Sequence, residues 1–268
     1  MKLGVSNLAW DRSLENEAFR MLRQFNAQGV EVAPTRIAPW DELTSANLGE
    51  YRRNCEAHGL EVSSMQAILF NQPDAQLLAD EAAFEKLVRH METIGEISKT
   101  LAAKVSVFGA PGNRKRGALS LLEARTIGLP RMRILGDVAA KYDYLIGIES
   151  VPEYYKCDFL DRVDDVAQFV SECGHEKVVT HFDIACITLG GDNPVDKLDR
   201  LLKIAHFHAS EPDLAGFAEP KCDHPSVAAK LKTIGYENWV VIEMRQIGTD
   251  LEALETALDY VSRTYGFN

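Results

Sequence analysis

Four residues in the second half of the chain stand where chemistry is readily done. Glu149 closes the run IGIE, Asp183 closes VVTHFD, His208 closes HFH and Glu243 closes WVVIE. Taken singly, an acid just past a strand serves equally well as a helix N-cap, and an interior histidine is often simply hydrogen-bonded. The four together say more. Three carboxylates crowded beside one imidazole would repel one another unless protonated or neutralised by a cation, and a bound divalent ion meets that need. Oxygen donors with one nitrogen, and room for water or substrate oxygens, suit Mn2+, Mg2+ or Co2+ better than a thiolate-rich structural zinc; catalytic Zn2+ also fits. His181 and His206 each lie two residues before a candidate ligand. Strand alternation puts them on the same face one layer deeper, either orienting a ligand or packed as core.

These residues need strands to carry them. Eight β-rich runs punctuate the chain at 3–8, 29–33, 61–66, 103–108, 144–149, 177–183, 204–209 and 239–243. Between them lie segments with helical spacing, such as Ala18, Leu22 and Phe25 early on, or Leu251, Leu254, Ala257, Leu258 and Val261 near the end. Eight βα units in order, with no Gly/Ser-rich linker, predict an α/β fold of the closed (β/α)8 TIM-barrel kind, one domain over residues 1–268. An open doubly wound sheet would carry a phosphate-binding GxGxxG after its first strand, whereas this one runs into Asn7, Leu8, Ala9 and Trp10. In a barrel, catalytic groups gather at the C-terminal strand ends, where all four candidate ligands fall.

Composition narrows the partners. A formal net charge of −11 opposes a surface for the nucleic-acid backbone, which is bound through Lys and Arg. No run approaches the ~18 apolar residues of a membrane span. Five cysteines without a CxxC pair, and an N-terminus without a long apolar stretch, predict the reducing cytoplasm. The expected partner is a small molecule.

Further residues near predicted strand ends are candidates for holding it. Trp10 and Phe108 offer aromatic faces for a sugar ring, and Gln66 and Arg245 offer donors for hydroxyls. After strand four, Gly109, Ala110, Pro111 and Gly112 lead into Asn113, Arg114, Lys115 and Arg116. This local positive cluster reads either as a solvated loop before a helix or as a phosphate or carboxylate contact, with Arg114 the foremost anion ligand. Cys186 is expected to shape the pocket rather than to act as a nucleophile, since no triad accompanies it.

The chain resembles the sugar phosphate isomerase/epimerase group, the xylose isomerase-like barrels that include ketose 3-epimerases and inosose dehydratases. The segments IGIESVPEYYKCDF, THFDIACITLGGD, HFHASEPDLAGF and GYENWVVIEMR carry the resemblance, which spans nearly the whole chain. It implies that Glu149, Asp183, His208 and Glu243 bind one metal, with Glu149 and Glu243 also moving protons. It further implies a sugar, sugar phosphate or polyol-derived ketone as substrate, and a homo-oligomer. The implied chemistry is removal of an α-proton to give a metal-stabilised enediolate. Reprotonation on the opposite face is epimerisation, on the neighbouring carbon isomerisation, and loss of a β-hydroxyl is dehydration.

Three departures set the chain apart from the free-ketose 3-epimerases of that group. Cys186 stands where they have a histidine, Tyr155 where they have a glutamate and Leu214 where they have an arginine. A non-catalytic sugar-binding barrel would also tolerate such substitutions, but it would not need glutamates at both 149 and 243. An abasic-site endonuclease on a related barrel would need a three-zinc cluster, and His58, His90, His175 and His224 fall in helical or loop segments instead.

Overall fold

The computed structural model describes residues 1–198 and 204–267. The apolar runs form eight strands: β1 (Lys2–Ser6), β2 (Gly29–Val32), β3 (Glu61–Met65), β4 (Val105–Phe108), β5 (Leu145–Glu149), β6 (Val178–Asp183), β7 (Ile204–Ser210) and β8 (Trp239–Glu243). Every neighbouring pair is parallel, and Lys2 to Val5 of β1 lie against Trp239 to Ile242 of β8, so the sheet closes. This is the expected (β/α)8 barrel. Its strands are nearly continuous buried runs because helices cover the outside and side chains fill the inside. Strand β1 stops at Ser6, earlier than its apolar run suggests. The Asn7 side chain leaves the ladder, accepting from the Ala33 amide at 2.9 Å, while the Ser6 hydroxyl accepts from the Leu8 amide.

The helices are α1 (Glu15–Gln24), α2 (Ser45–Ala57), α3 (Glu81–Leu101), α4 (Leu121–Tyr142), α5 (Val163–Cys173), α6 (Ile184–Leu189), α7 (Pro194–Leu198), α8 (His224–Thr233) and α9 (Glu252–Tyr265). Their starts are written locally. Thr44 with Asn47 and Ser120 with Glu123 form reciprocal caps on α2 and α4, satisfying amides that have no partner within the helix. The longer helices lay an apolar stripe on the barrel, as in α9, where Leu254, Ala257, Leu258 and Val261 are buried. Among the described residues no helix is long and apolar enough to cross a membrane.

Register delivers the candidate ligands to one place. Asp183 pairs with His208, Glu149 with His181, and Ser210 with Glu243, all at the C-terminal end of the barrel. Alternation turns Phe182 and Phe207 outward, where they stack at 5.5 Å between centroids. The same alternation sends His181, Asp183, His206 and His208 inward. Beneath the mouth lies a polar interior layer of Glu31, Ser64, Ser106, His181 and His206, all fully or almost fully sequestered from solvent.

Candidate metal centre

The last residues of β5, β6 and β8, with His208 of β7, bring their side chains together at the barrel mouth. From His208 Nδ1, the nearest carboxylate oxygens are Glu243 Oε2 at 3.1 Å, Asp183 Oδ2 at 3.6 Å and Glu149 Oε1 at 4.0 Å. Asp183 is held from two sides. Its Oδ1 accepts the Cys186 amide at 2.6 Å, capping α6, and its Oδ2 accepts the Ser210 hydroxyl at 2.7 Å. Asp183 is thus both the helix cap and a member of the cluster.

Glu149 is set by its surroundings in a different way. Arg114, wholly buried, donates to the Glu149 carbonyl at 2.7 Å and reaches the carbonyls of Phe108 and Leu160 at 3.5 Å. The guanidinium therefore braces the tops of β4 and β5. On the cavity side, Gly109 leaves open the space beside the Glu149 carboxylate, where any side chain would collide. Behind it, His181 Nε2 approaches Glu149 Oε1 to 3.6 Å.

The charges are finely balanced because all the groups are buried. Burial, followed by the charges of Asp183 and Glu243, pushes the Glu149 carboxyl well above its ordinary range. Burial also raises Glu243, an effect His208 only partly offsets. Asp183 goes the other way. Burial would raise it, but the neighbouring His208, together with the Cys186 amide and Ser210, holds it low. His208 would be depressed by burial, yet Glu31, Glu243 and Asp183 draw it well above the usual histidine range. His181 is pushed down by burial and by the neighbouring imidazoles.

The donor set fits a divalent cation. Ligand atoms of Glu149, His181, Asp183 and His208 lie within 4.8 Å of one another, all buried, and could hold a metal ion; Glu243 stands outside this tight group but within 3.1 Å of His208 Nδ1. His208 Nδ1 has no hydrogen-bond partner although it is buried, and it points among three carboxylates. A cation would satisfy that nitrogen and relieve the carboxylate repulsion together.

Two adjoining cavities open onto the cluster, and Glu149, Glu243 and Gly109 line both. One, of about 250 Å³, has a largely apolar wall from Ile68, Leu69, Phe70 and Val107, with Gln66 at its side. The other, of about 400 Å³, is bounded by Tyr155, Cys186, Leu214 and Arg245. The three positions that depart from the ketose 3-epimerase pattern thus all face this space. Asp213 and Leu214 both adopt left-handed backbone, φ 61° and 54°. They are pinned by the Tyr155 hydroxyl, which accepts the Asp213 amide at 2.8 Å, and by the Leu214 carbonyl, which accepts the Arg245 amide.

Gln66, Cys186 and Arg245 thus lie where a substrate contact is expected. Burial and the surrounding carboxylates push the Cys186 thiol well above its ordinary range, which suits pocket shaping rather than nucleophilic attack. Four other candidates are elsewhere. Trp10 is core, edge-on to Phe19 at 6.1 Å, and Phe108 is fully buried. The Asn113 amide donates to the Gln72 and Ala75 carbonyls at 2.7 Å each. Arg114 lines neither cavity, and its two Nη groups donate to backbone carbonyls rather than to an anion. The loop that reads as solvated from its Gly, Pro and basic residues instead folds Asn113 and Arg114 inward.

Sequence reasoning passed over Glu31, Gly109 and Ser210. Glu31 had a signal, since a charged residue interrupts the apolar run GVEVA, and it lies wholly buried beneath His208. A further cluster of Glu211, Cys222 and His224 is internally satisfied: His224 bonds Tyr265 through Nδ1 at 2.8 Å and Glu211 through Nε2 at 2.9 Å.

Comparison with known structures places this geometry in context. A D-psicose 3-epimerase structure with D-fructose superposes with a TM-score of 0.82 at 15% identity, covering 99% of this chain and 100% of that one. The 3-keto-D-glucoside 4-epimerase YcjR from E. coli gives 0.81 at 19%, covering 98% and 99%. An IOLI protein with a bound zinc atom gives 0.75 at 18%, covering 99% and 100%. At such identities these likenesses speak for the fold. A comparison with curated protein sequences finds no match. The profile of the xylose isomerase-like TIM barrel matches residues 19–264, nearly the full length, and the chain belongs to that family.

Proposed function

We propose that the protein is a divalent-metal-dependent isomerase or epimerase acting on a neutral sugar or polyol-derived ketone by proton transfer through an enediolate. The observation that carries this reading is the partnerless His208 Nδ1 facing three carboxylates at the floor of an open cavity, two of them glutamates. Glu149, Asp183, His208 and Glu243 would hold the ion. When bound, it supplies Lewis acidity that makes the hydrogen beside a ketone carbonyl easier to remove. Glu149 and Glu243 both line the cavities, so either carboxylate can take a proton from a bound ketone while the other returns one. Gln66 and Arg245 offer donors for hydroxyl groups, and the wall of Ile68, Leu69 and Phe70 excludes water from one side. The named epimerase neighbours support this direction of chemistry.

A neutral substrate is preferred because, among the described residues lining the two cavities, Arg245 is the sole cation, while Arg114 is engaged with carbonyls. The test begins with chelator-stripped protein titrated calorimetrically with Mn2+, beside Asp183→Asn and His208→Ala. One-to-one binding that both substitutions abolish is expected. Deuterium uptake from solvent by free ketoses, and not by their phosphates, would then follow. No Mn2+ binding by the wild type would sink the reading.

A further inference from the structure

We infer that Glu31, a residue of β2 on the far side of the barrel interior, is a positioning residue that makes Nδ1 the ligating nitrogen of His208. This rests on the metal-site reading above and adds a residue to it.

The two nitrogens of His208 face different worlds. Nδ1 looks up to Glu243, Asp183 and Glu149, and Nε2 looks down to Glu31, 2.9 Å from its Oε1 and 3.2 Å from its Oε2. An ionised carboxylate only accepts hydrogen bonds, so the nitrogen beside it must carry the hydrogen. With one proton on the ring, that hydrogen sits on Nε2 and the lone pair sits on Nδ1, aimed at the cluster.

Glu31 is itself held so that it can do this. It is wholly buried, Ser64 donates to its Oε2 at 2.7 Å, and His206 Nε2 lies 2.9 Å from the same oxygen. His206 therefore acts on His208 through a shared carboxylate rather than by touching it as a hydrogen-bond partner. Glutamine at position 31 has nearly the same shape, but its amide can donate to Nε2. That would favour the tautomer with hydrogen on Nδ1, where a metal must bind. Outer partners of this kind typically change metal affinity by about 10- to 100-fold.

The experiment uses full-length protein with 15N-labelled histidine, loaded with Zn2+ as a diamagnetic probe, and long-range proton–nitrogen correlation spectra. The expected result is a His208 ring protonated on Nε2 and metal-bound through Nδ1. In parallel, Glu31→Gln should bind Mn2+ about 10- to 100-fold more weakly in calorimetry while keeping the circular dichroism of the wild type. A His208 ring bound through Nε2, or a folded Glu31→Gln with wild-type affinity, overturns the inference and leaves the metal site standing. A wild type that takes up neither ion overturns both. Should Glu31→Gln fail to fold, the wild-type spectrum decides alone.

Discussion

Gly109 offers a direct way to disturb the centre without touching a ligand. A Cβ placed there would lie 1.9 Å from Glu149 Oε2, 3.1 Å from its Cδ and 3.7 Å from its Cβ. The clash falls on the carboxylate tip and spares the backbone. To reach an ordinary carbon–oxygen contact of ~3.3 Å, the carboxylate must retreat by about 1.4 Å. Metal–ligand distances tolerate only about 0.2 Å, so one ligand is lost or badly misplaced. Gly109→Ala should therefore weaken Mn2+ binding at least ~100-fold, at the upper end of what even indirect ligand disturbance costs. Stability should barely change, because the displaced group is a side-chain end and alanine reduces unfolded-chain entropy by a compensating ~0.4–1 kcal/mol. The melting temperature without metal should shift by no more than about 4 °C. Gly112→Ala is the control, as its Cβ would meet nothing within 4 Å. Calorimetric titration of both variants with Mn2+, alongside thermal melts, reads the outcome. A Gly109→Ala protein with wild-type affinity would refute the reasoning that Glu149 is a ligand in this position.

The other predictions concern the same centre. Glu243→Gln should keep measurable Mn2+ binding, since an amide oxygen still ligates, yet lose ketose deuterium exchange by about 100-fold or more, as expected for removal of an acid–base group; undiminished exchange would exclude Glu243 as a proton carrier. Arg114→Ala should cost about 2–4 kcal/mol in denaturant unfolding, because carbonyls beneath the mouth lose buried donors. It should affect neutral and anionic substrates alike; a loss confined to anionic ones would restore Arg114 as an anion contact. Metal binding should weaken as pH falls. The folded pKa values of Glu149 and His208 lie above their ordinary 4.5 and 6.5, so the metal-free centre holds protons that an ion must displace. The sign for stability of the metal-free protein is opposite: contributions from these protons are full below the ordinary values and fade as pH rises through the folded ones. The gap in melting temperature between metal-loaded and chelated protein should accordingly widen as pH rises above the ordinary values of the two groups.

What could be read from the chain follows from how local the signals are. Glu149, Asp183 and Glu243 announce themselves because each ends an apolar run, and in a closed parallel barrel strand ends share one rim. His181 and His206 are placed by simple alternation. Glu31 escapes such a reading, since its meaning lies in a contact with His208 across the barrel, 177 residues away in sequence. Arg114 misleads for a related reason. In a Gly- and Pro-rich loop a guanidinium reads as free to meet a phosphate or carboxylate, and only the converging carbonyls of Phe108, Glu149 and Leu160 reveal what it binds. Trp10 sits near a predicted strand end, but the loop after β1 turns it back against Phe19.

Closure of the barrel would give the proposed metal centre a role during folding. The proposed ligands are spread over β5 to β8, and β8 is secured by pairs as distant in sequence as Lys2 with Trp239. Joining such remote segments is slow, because loop entropy must be lost before the contacts form. Glu243 reaches its place only when β8 docks, beside Ser210 of β7, so a chain with β8 undocked would present an incomplete set of donors. An ion at 100 times its dissociation constant would favour the sealed state by about 2.7 kcal/mol. Hydrogen exchange along β1 and β8 should slow when the ion binds, which would make the centre a latch on the seam between them.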